Sequence, residues 1–286
     1  MISKKIYYCI QTIEYLLNVL CDGFNNPFKR VEINNKKKLL CIANGPSAKD
    51  IYTDIKDNLN KYKDCEFSVV NDFVNDELFE IVRPLHYTIS DPMFFMDTVK
   101  KQQGEKVLYA LKEKVKWDMY LNISCYWKKS PFLDIVRGNP KIHIVYFHQF
   151  RYDGIPQFTN YFYKKGWGNG EYGTVILNAL YVSISEGYKD IELYGVDHTF
   201  FDGLTVNEDN IPCYIYKHSY DIKPELKPIR FTYNYSHEYM DMASYIYEKY
   251  DIFRGHKIMA AYAKSINCNI LNCTKNSLID AYPRKS

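Results

Sequence analysis

Short apolar runs that close on polar or glycine-bearing turns recur along most of the chain, separated by longer segments of helical character. Leu39-Leu40-Cys41-Ile42-Ala43 leads into Asn44-Gly45-Pro46-Ser47, and Phe67-Ser68-Val69-Val70 leads into Asn71-Asp72. His86-Tyr87-Thr88-Ile89 ends at Ser90-Asp91-Pro92, and Ile142 to Phe147 is a fourth run. Ile191-Glu192-Leu193-Tyr194 ends at Gly195-Val196-Asp197, and Asn269-Ile270-Leu271-Asn272 is a sixth. Runs of this length predict short buried strands, whereas the apolar stretch from Val175 to Ser185 is too long for one and predicts a helix. Buried strands alternating with helices predict an α/β fold, a mostly parallel sheet with helices on both faces.

Two regions depart from that rhythm. Residues 2 to 21 carry Ile6, Ile10, Ile13, Leu16, Leu17 and Leu20 at helical spacing behind Lys4 and Lys5, which predicts an N-terminal amphipathic helix. Its apolar stripe suits the body of its own protein, with an inner-membrane leaflet or a partner as the other placements. Asp22-Gly23 and Asn25-Asn26-Pro27 break the helix, so residues 1–35 read as a helical extension and 36–286 as the main domain. Residues 198–235 hold Gly203, Pro212, Pro224 and Pro228 without clean periodicity, which predicts an inserted lid. Lids of this kind exclude water from a reacting centre.

Composition removes several functions. Lys plus Arg number 37 against 34 Asp plus Glu, a net charge of +3 with no concentrated basic stripe, which argues against nucleic acid as a partner. The 28 tyrosines and 16 phenylalanines accompany abundant Lys, Asn and Ile, the residues of AT-rich codons, and need no stacking surface to explain them. Eight cysteines form no CxxC pair and no Cys/His cluster at zinc-ligand spacing, which predicts free thiols in a reducing cytoplasm. No stretch approaches the roughly 20 apolar residues of a spanning helix, and no small-residue cleavage site follows the N-terminal apolar run. These features predict a cytoplasmic protein with at most peripheral membrane contact.

Ligands of open parallel sheets bind beyond the carboxyl ends of the strands, which makes the polar strand ends the candidate site. In Asn44-Gly45-Pro46-Ser47, Gly45 would let a ligand approach the backbone and Ser47 would cap the next helix, turning its amides toward an anion. The turn is neither a Walker loop nor a dinucleotide fingerprint. A second glycine-rich stretch, Gly166 to Thr174, enters the long apolar helix and presents free amides, with Gly173 and Thr174 nearest its start. It reads equally as a flexible connector. No Asp-x-Asp metal signature occurs, so metal-independent chemistry is favoured, although Asp72, Asp91 and Asp197 end three different strands. Among seven histidines, His198 follows Asp197 directly, while His237 and His256 are placed near the starts of helices behind the lid as candidate bases.

Several of these pieces occur together in a familiar order. Ile42 to Ser47, Asn71, Ser90 to Phe95, Gly187 to Asp197 and Asn276-Ser277-Leu278 resemble the bacterial CMP-sialic-acid-dependent sialyltransferases of lipooligosaccharide synthesis. They also resemble the wider family named after the archaeal hydroxymethylpterin diphosphokinase. The resemblance spans roughly residues 39 to 280 and implies a Rossmann-like domain. It nominates Asn44, Gly45, Ser47 and Asn71 as holding the cytidine nucleotide, and it matches the family's general base, in a Gly-His pair before a C-terminal helix, to Gly255-His256, with His237 as runner-up. The chain departs from the family at two places. Asp91-Pro92 replaces an Asn-Pro, making an acceptor-only anion of a mixed donor and acceptor. His198-Thr199-Phe200-Phe201 stands where the family has tyrosines for the leaving phosphate, leaving that task to lid tyrosines Tyr214, Tyr216 or Tyr220, or to His198.

The expectation is therefore a metal-independent inverting glycosyltransferase of bacterial surface-polysaccharide or lipopolysaccharide synthesis. It would need no cofactor beyond a nucleotide-sugar co-substrate, CMP-linked, and would act on a glycan or glycolipid acceptor; family members often self-associate. His256 or His237 would deprotonate the acceptor, and Asn44, Gly45, Ser47, Asn71, Asp91, Gly173, Thr174, Asp197 and His198 would bind the nucleotide sugar. The alternatives are a Mg²⁺-dependent diphosphokinase on a pterin-like substrate and a non-catalytic nucleotide- or glycan-binding protein.

Overall fold

The computed structural model describes residues 3–23, 28, 30–31, 38–97, 101–169, 172–216, 225–231 and 238–285. The candidate base His237, His218, Tyr220, Pro224, the Gly170-Glu171 pair, the Asn25-Asn26-Pro27 break and the domain start at residue 36 lie outside them.

In chain order the elements begin with α1 (Lys4–Asn18), β1 (Lys38–Ile42), α2 (Ala48–Asp57), β2 (Cys65–Val70), α3 (Leu78–Val82), β3 (His86–Ile89), α4 (Lys101–Lys114) and β4 (Met119–Ser124). There follow α5 (Asp134–Arg137), β5 (Ile142–Phe147), α6 (Thr159–Lys165), α7 (Val175–Ser185) and β6 (Asp190–Tyr194). The chain ends with β7 (Leu204–Val206), β8 (Pro212–Tyr216), β9 (Glu225–Pro228), α8 (Met242–Ser265) and β10 (Asn269–Asn272).

Seven strands form a parallel sheet in the order β10-β6-β1-β2-β3-β4-β5. All six apolar runs of the sequence are strands of this sheet, and the long run from Val175 is α7. Strand periodicity explains the two cores. Alternate residues of β1 point to opposite faces. Leu39 and Cys41 join a core built with α7 and α8, and Leu40 and Ile42 join one built with α2 and α4. The α/β architecture with helices on both faces is thus set by strands that are apolar on both sides. β4 carries no such signal, because Asn122 interrupts its apolar run, yet it pairs with β3 and β5 and is buried.

The segment after β6 forms a small antiparallel sheet, β7-β8-β9, where the sequence suggested no regular structure. Every residue of β9 is exposed, and its sequence, Glu-Leu-Lys-Pro, holds two charged residues and a proline. Its strand character comes from pairing with β8, which local composition does not encode. Ile229, Met240 and Tyr245 make a minor core that seats this insertion on the start of α8.

The N-terminal helix is present, but its orientation corrects the expectation. It meets the body through Thr12 and Tyr15, with Thr12 Oγ1 accepting from the Ile155 amide at 2.9 Å. Ile6, Ile10, Ile13, Leu17 and Leu20 are 41–59% exposed, and of the named stripe only Leu16 packs on the core. Tyr15 binds in an aromatic cluster with Tyr152 and Phe162, which outweighs the stripe in choosing the buried side. No helix among the described residues is long and apolar enough to cross a membrane.

Candidate functional site

Strand order reverses between β1 and β6, because the chain builds outward from β1 through β5 and then returns to β1's free side. Loops leaving two such strands diverge and open a crevice at their carboxyl ends. A cavity of about 540 Å³ lies there, and Asn44, Gly45, Asn71, Thr174, Asp197 and His198 line it. Phe200, Tyr214 and Lys227 extend the wall into the insertion.

The two loops are tied to each other first. The Gly45 amide donates to the Gly195 carbonyl at 2.9 Å. A Cβ on Gly45 would meet Asp197 Oδ2 at 1.9 Å, and one on Gly195, which takes φ +66°, would meet the Ala43 carbonyl oxygen at 2.4 Å. Gly45 therefore admits the neighbouring loop on the side where a Cβ would stand, while it also lines the cavity. Ser47 differs from the expected helix cap. Its side chain makes no helix-capping bond; Oγ donates to Asp197 Oδ2 at 2.9 Å and its amide to Oδ1 at 3.3 Å. Asp197 thus joins β1's turn to β6's turn.

The C-terminal segment supports the same loop from behind. Thr274 Oγ1 accepts from the Val196 amide at 3.1 Å, and Ser277 Oγ donates to the Val196 carbonyl at 2.7 Å. The Leu278 amide donates to the Asp197 carbonyl at 3.0 Å. Asn276-Ser277-Leu278 is consequently a buttress, and nothing local in the sequence marks it as one.

Asn44 Nδ2 donates to the Val70 carbonyl at 3.1 Å, fixing its amide between β1 and β2. Asn71 sits at φ +48°, and its side-chain carbonyl oxygen is buried without a partner among the described residues. Thr174 stands at the start of α7 without a side-chain capping bond, next to Gly173 at φ +70°. Ser47, Gly173 and Asp91 lie off the cavity wall. Asp91 ends β3 and accepts the Met93 amide at 3.0 Å.

The histidines are arranged unlike the expectation. Gly255-His256 lies inside α8, which begins at the Asp241 cap, and does not precede a helix. Gly255 is needed there because a Cβ would meet Tyr172 and Leu177 at 2.6 Å. His256 is fully buried and off the cavity wall. Its Nε2 shares a hydrogen bond with His198 Nε2 at 3.0 Å, and its Nδ1 shares one with Tyr282 Oη at 3.0 Å. His198 reaches this position through a left-handed backbone, φ +51°, and stacks on Phe200 at 4.8 Å. Burial lowers His198 to about 4, aided by the Lys249 ammonium, and burial drives His256 well below the usual histidine range, so both are neutral near pH 7.

Two further features shape the surroundings. Arg151 makes two bonds to Asp251, at 2.7 and 2.9 Å, and Arg151 and Arg254 both reach Asp153, which clamps the loop after β5 to α8. Tyr245 donates to the Phe200 carbonyl and shares a hydrogen bond with Tyr214, so the insertion's cavity wall is anchored on α8. Of the lid tyrosines, Tyr214 lines the cavity; the side chain of Tyr216 and all of Tyr220 fall outside the described residues. Among the described residues no group of three or more His, Cys, Asp or Glu converges as a set of metal ligands.

No protein-family model matches the chain, and no curated protein matches it. Among solved structures it is similar to the MAf glycosyltransferase of Magnetospirillum magneticum AMB-1, at 11% identity and a TM-score of 0.46 over 91% of this chain. The chain spans 35% of that protein's length.

Proposed function

We propose that this chain is a metal-independent inverting glycosyltransferase that takes a nucleotide-activated sugar, CMP-linked, and passes it to a glycan or glycolipid acceptor in bacterial surface-polysaccharide synthesis. The observation that carries the reading is the cavity at the reversal of strand order, about 540 Å³ and walled by Asn44, Asn71, Asp197 and His198. Its size suits a nucleotide-sized ligand. The side-chain amide of Asn71, a residue of that wall, supports a ligand with hydrogen-bonding groups such as a nucleobase.

Asp197 commits both carboxylate oxygens to Ser47, which favours chemistry without a divalent cation at this wall. Charge on the departing phosphate would instead meet the amides at the start of α7, Lys227 and His198. His256 has both ring nitrogens engaged, by His198 and Tyr282, and offers no lone pair to an acceptor hydroxyl. In this reading the proton of the acceptor falls to His237, and the sugar is transferred in one inverting displacement.

Transfer assayed with CMP-linked sugars should be unaffected by EDTA, and His237→Ala should lower it by roughly 10²- to 10⁴-fold, the usual contribution of a general base. Activity abolished by chelator and restored by Mg²⁺ would sink the reading in favour of a diphosphokinase.

A further inference from the structure

Tyr282, His256 and His198 form a hydrogen-bonded row from the interior to the cavity wall, and its direction can be read from proton counting. Tyr282 is 5% exposed, and the only hydrogen bond of its hydroxyl among the described residues is to His256 Nδ1. Burial holds the phenol far above its usual range, so it keeps its proton. A buried hydroxyl with one partner must donate to it, since accepting would strand the O–H in the core. His256 Nδ1 is therefore the acceptor, and its proton sits on Nε2. That Nε2–H faces His198 Nε2 at 3.0 Å, so His198 accepts there and carries its own proton on Nδ1. Nδ1 of His198 has no protein partner among the described residues and is not one of the sealed polar atoms. It belongs to a residue that lines the cavity.

We infer that Tyr282 and His256 are positioning residues that lock His198 as the Nδ1–H tautomer, so that His198 gives a hydrogen-bond donor, and no base, to an anionic ligand group in the cavity. The ligand rests on the nucleotide reading above, in which the group is the nucleotide phosphate; the tautomer does not. No proton leaves His198 in this role. The donor stands in the same turn where the resembling enzymes place phenolic hydroxyls, and it needs the two residues behind it because a free neutral imidazole populates both tautomers.

Long-range ¹H–¹⁵N spectra of ¹⁵N-histidine-labelled protein at pH 7, assigned with His198→Ala and His256→Gln, test the row directly. Expected are a protonated Nδ1 on His198 and a protonated Nε2 on His256, with the preference lost in Tyr282→Phe. An unprotonated Nδ1 on His198, or an imidazolium, overturns the inference. Affinities for CMP and cytidine supply the second arm. His198→Ala and Tyr282→Phe should weaken CMP by about 10-fold, near the worth of one charge-assisted hydrogen bond, and leave cytidine unchanged. His256→Gln, whose side-chain amide can donate to His198 Nε2, should retain CMP affinity where His256→Leu does not. Equal losses for CMP and cytidine would mark a merely structural role and overturn the assignment. If neither CMP nor cytidine binds the wild-type protein, the nucleotide reading fails by itself, and the tautomers alone decide the row.

Discussion

Gly45 stands where two loops from distant parts of the chain meet. A glycine between Asn44 and Pro46 is legible as a turn that needs space, but the space is filled by Asp197 and Gly195 from a strand 150 residues later. The same holds for Ser47, whose hydroxyl bonds a carboxylate across the sheet in place of its own helix. Gly45→Ala should destabilise the protein by about 1–3 kcal/mol or more, because the added carbon faces backbone and a tethered carboxylate that have little room to move. Urea unfolding would measure it. A wild-type midpoint in that variant would contradict the close approach of the two loops. Thr274 and Tyr282, which hold the site from behind, carry no sequence signal, and Ser277 is marked only by the resemblance, since each acts through a hydrogen bond formed only after the sheet closes.

α8 leaves little periodic signal in the sequence. Its buried face includes Lys249, Asp251, Gly255 and His256, which break the apolar period that would reveal a helix of 24 residues. Tertiary partners make those residues tolerable: Asp251 pairs with Arg151, and Lys249 lies over the rings of Phe200 and Tyr245. Asp251→Ala should cost about 1–2 kcal/mol, less than breaking a sealed pair, because the Arg151 side chain is 33% exposed. An Arg151→Ala, Asp251→Ala cycle followed by thermal unfolding separates the pair from its parts. The insertion depends on the same helix. Tyr245→Phe removes the donor to Phe200 and the contact with Tyr214, so limited proteolysis between β7 and β9 should accelerate while global stability falls by roughly 1 kcal/mol.

For the whole molecule, buried titratable groups set the pH profile of stability. His86 is lowered by burial to about 3 and His198 to about 4, and burial also holds His256 well below the usual 6.5. The unfolded chain binds these protons first, so their contribution is complete above pH 6.5 and is lost progressively as pH falls toward about 3. Glu186, 3.3 Å from His86 in the core, is raised by burial from 4.5 to about 8 and acts in the opposite sense, costing stability as pH rises from 4.5 to 8. Three histidines outweigh one glutamate below 6.5, and the glutamate acts without them above it. The melting temperature should therefore peak near pH 6.5, and Glu186→Gln should flatten the decline between 6.5 and 8. A melting temperature that rises steadily from pH 6.5 to 8 in the wild-type protein would refute this. By itself the sequence determined six of the seven strands of the main sheet, the α7 helix and the polar turns at the strand ends, because alternation of apolar runs and turn residues is a local property of the chain. It did not determine β4, the small sheet, or the exposed side of α1, where pairing and packing partners overrule composition. Only the tertiary structure decided which polar residues meet: His198, His256 and Tyr282 are 58 and 26 residues apart and touch because folding brings the turn after β6, α8 and the C-terminal segment together.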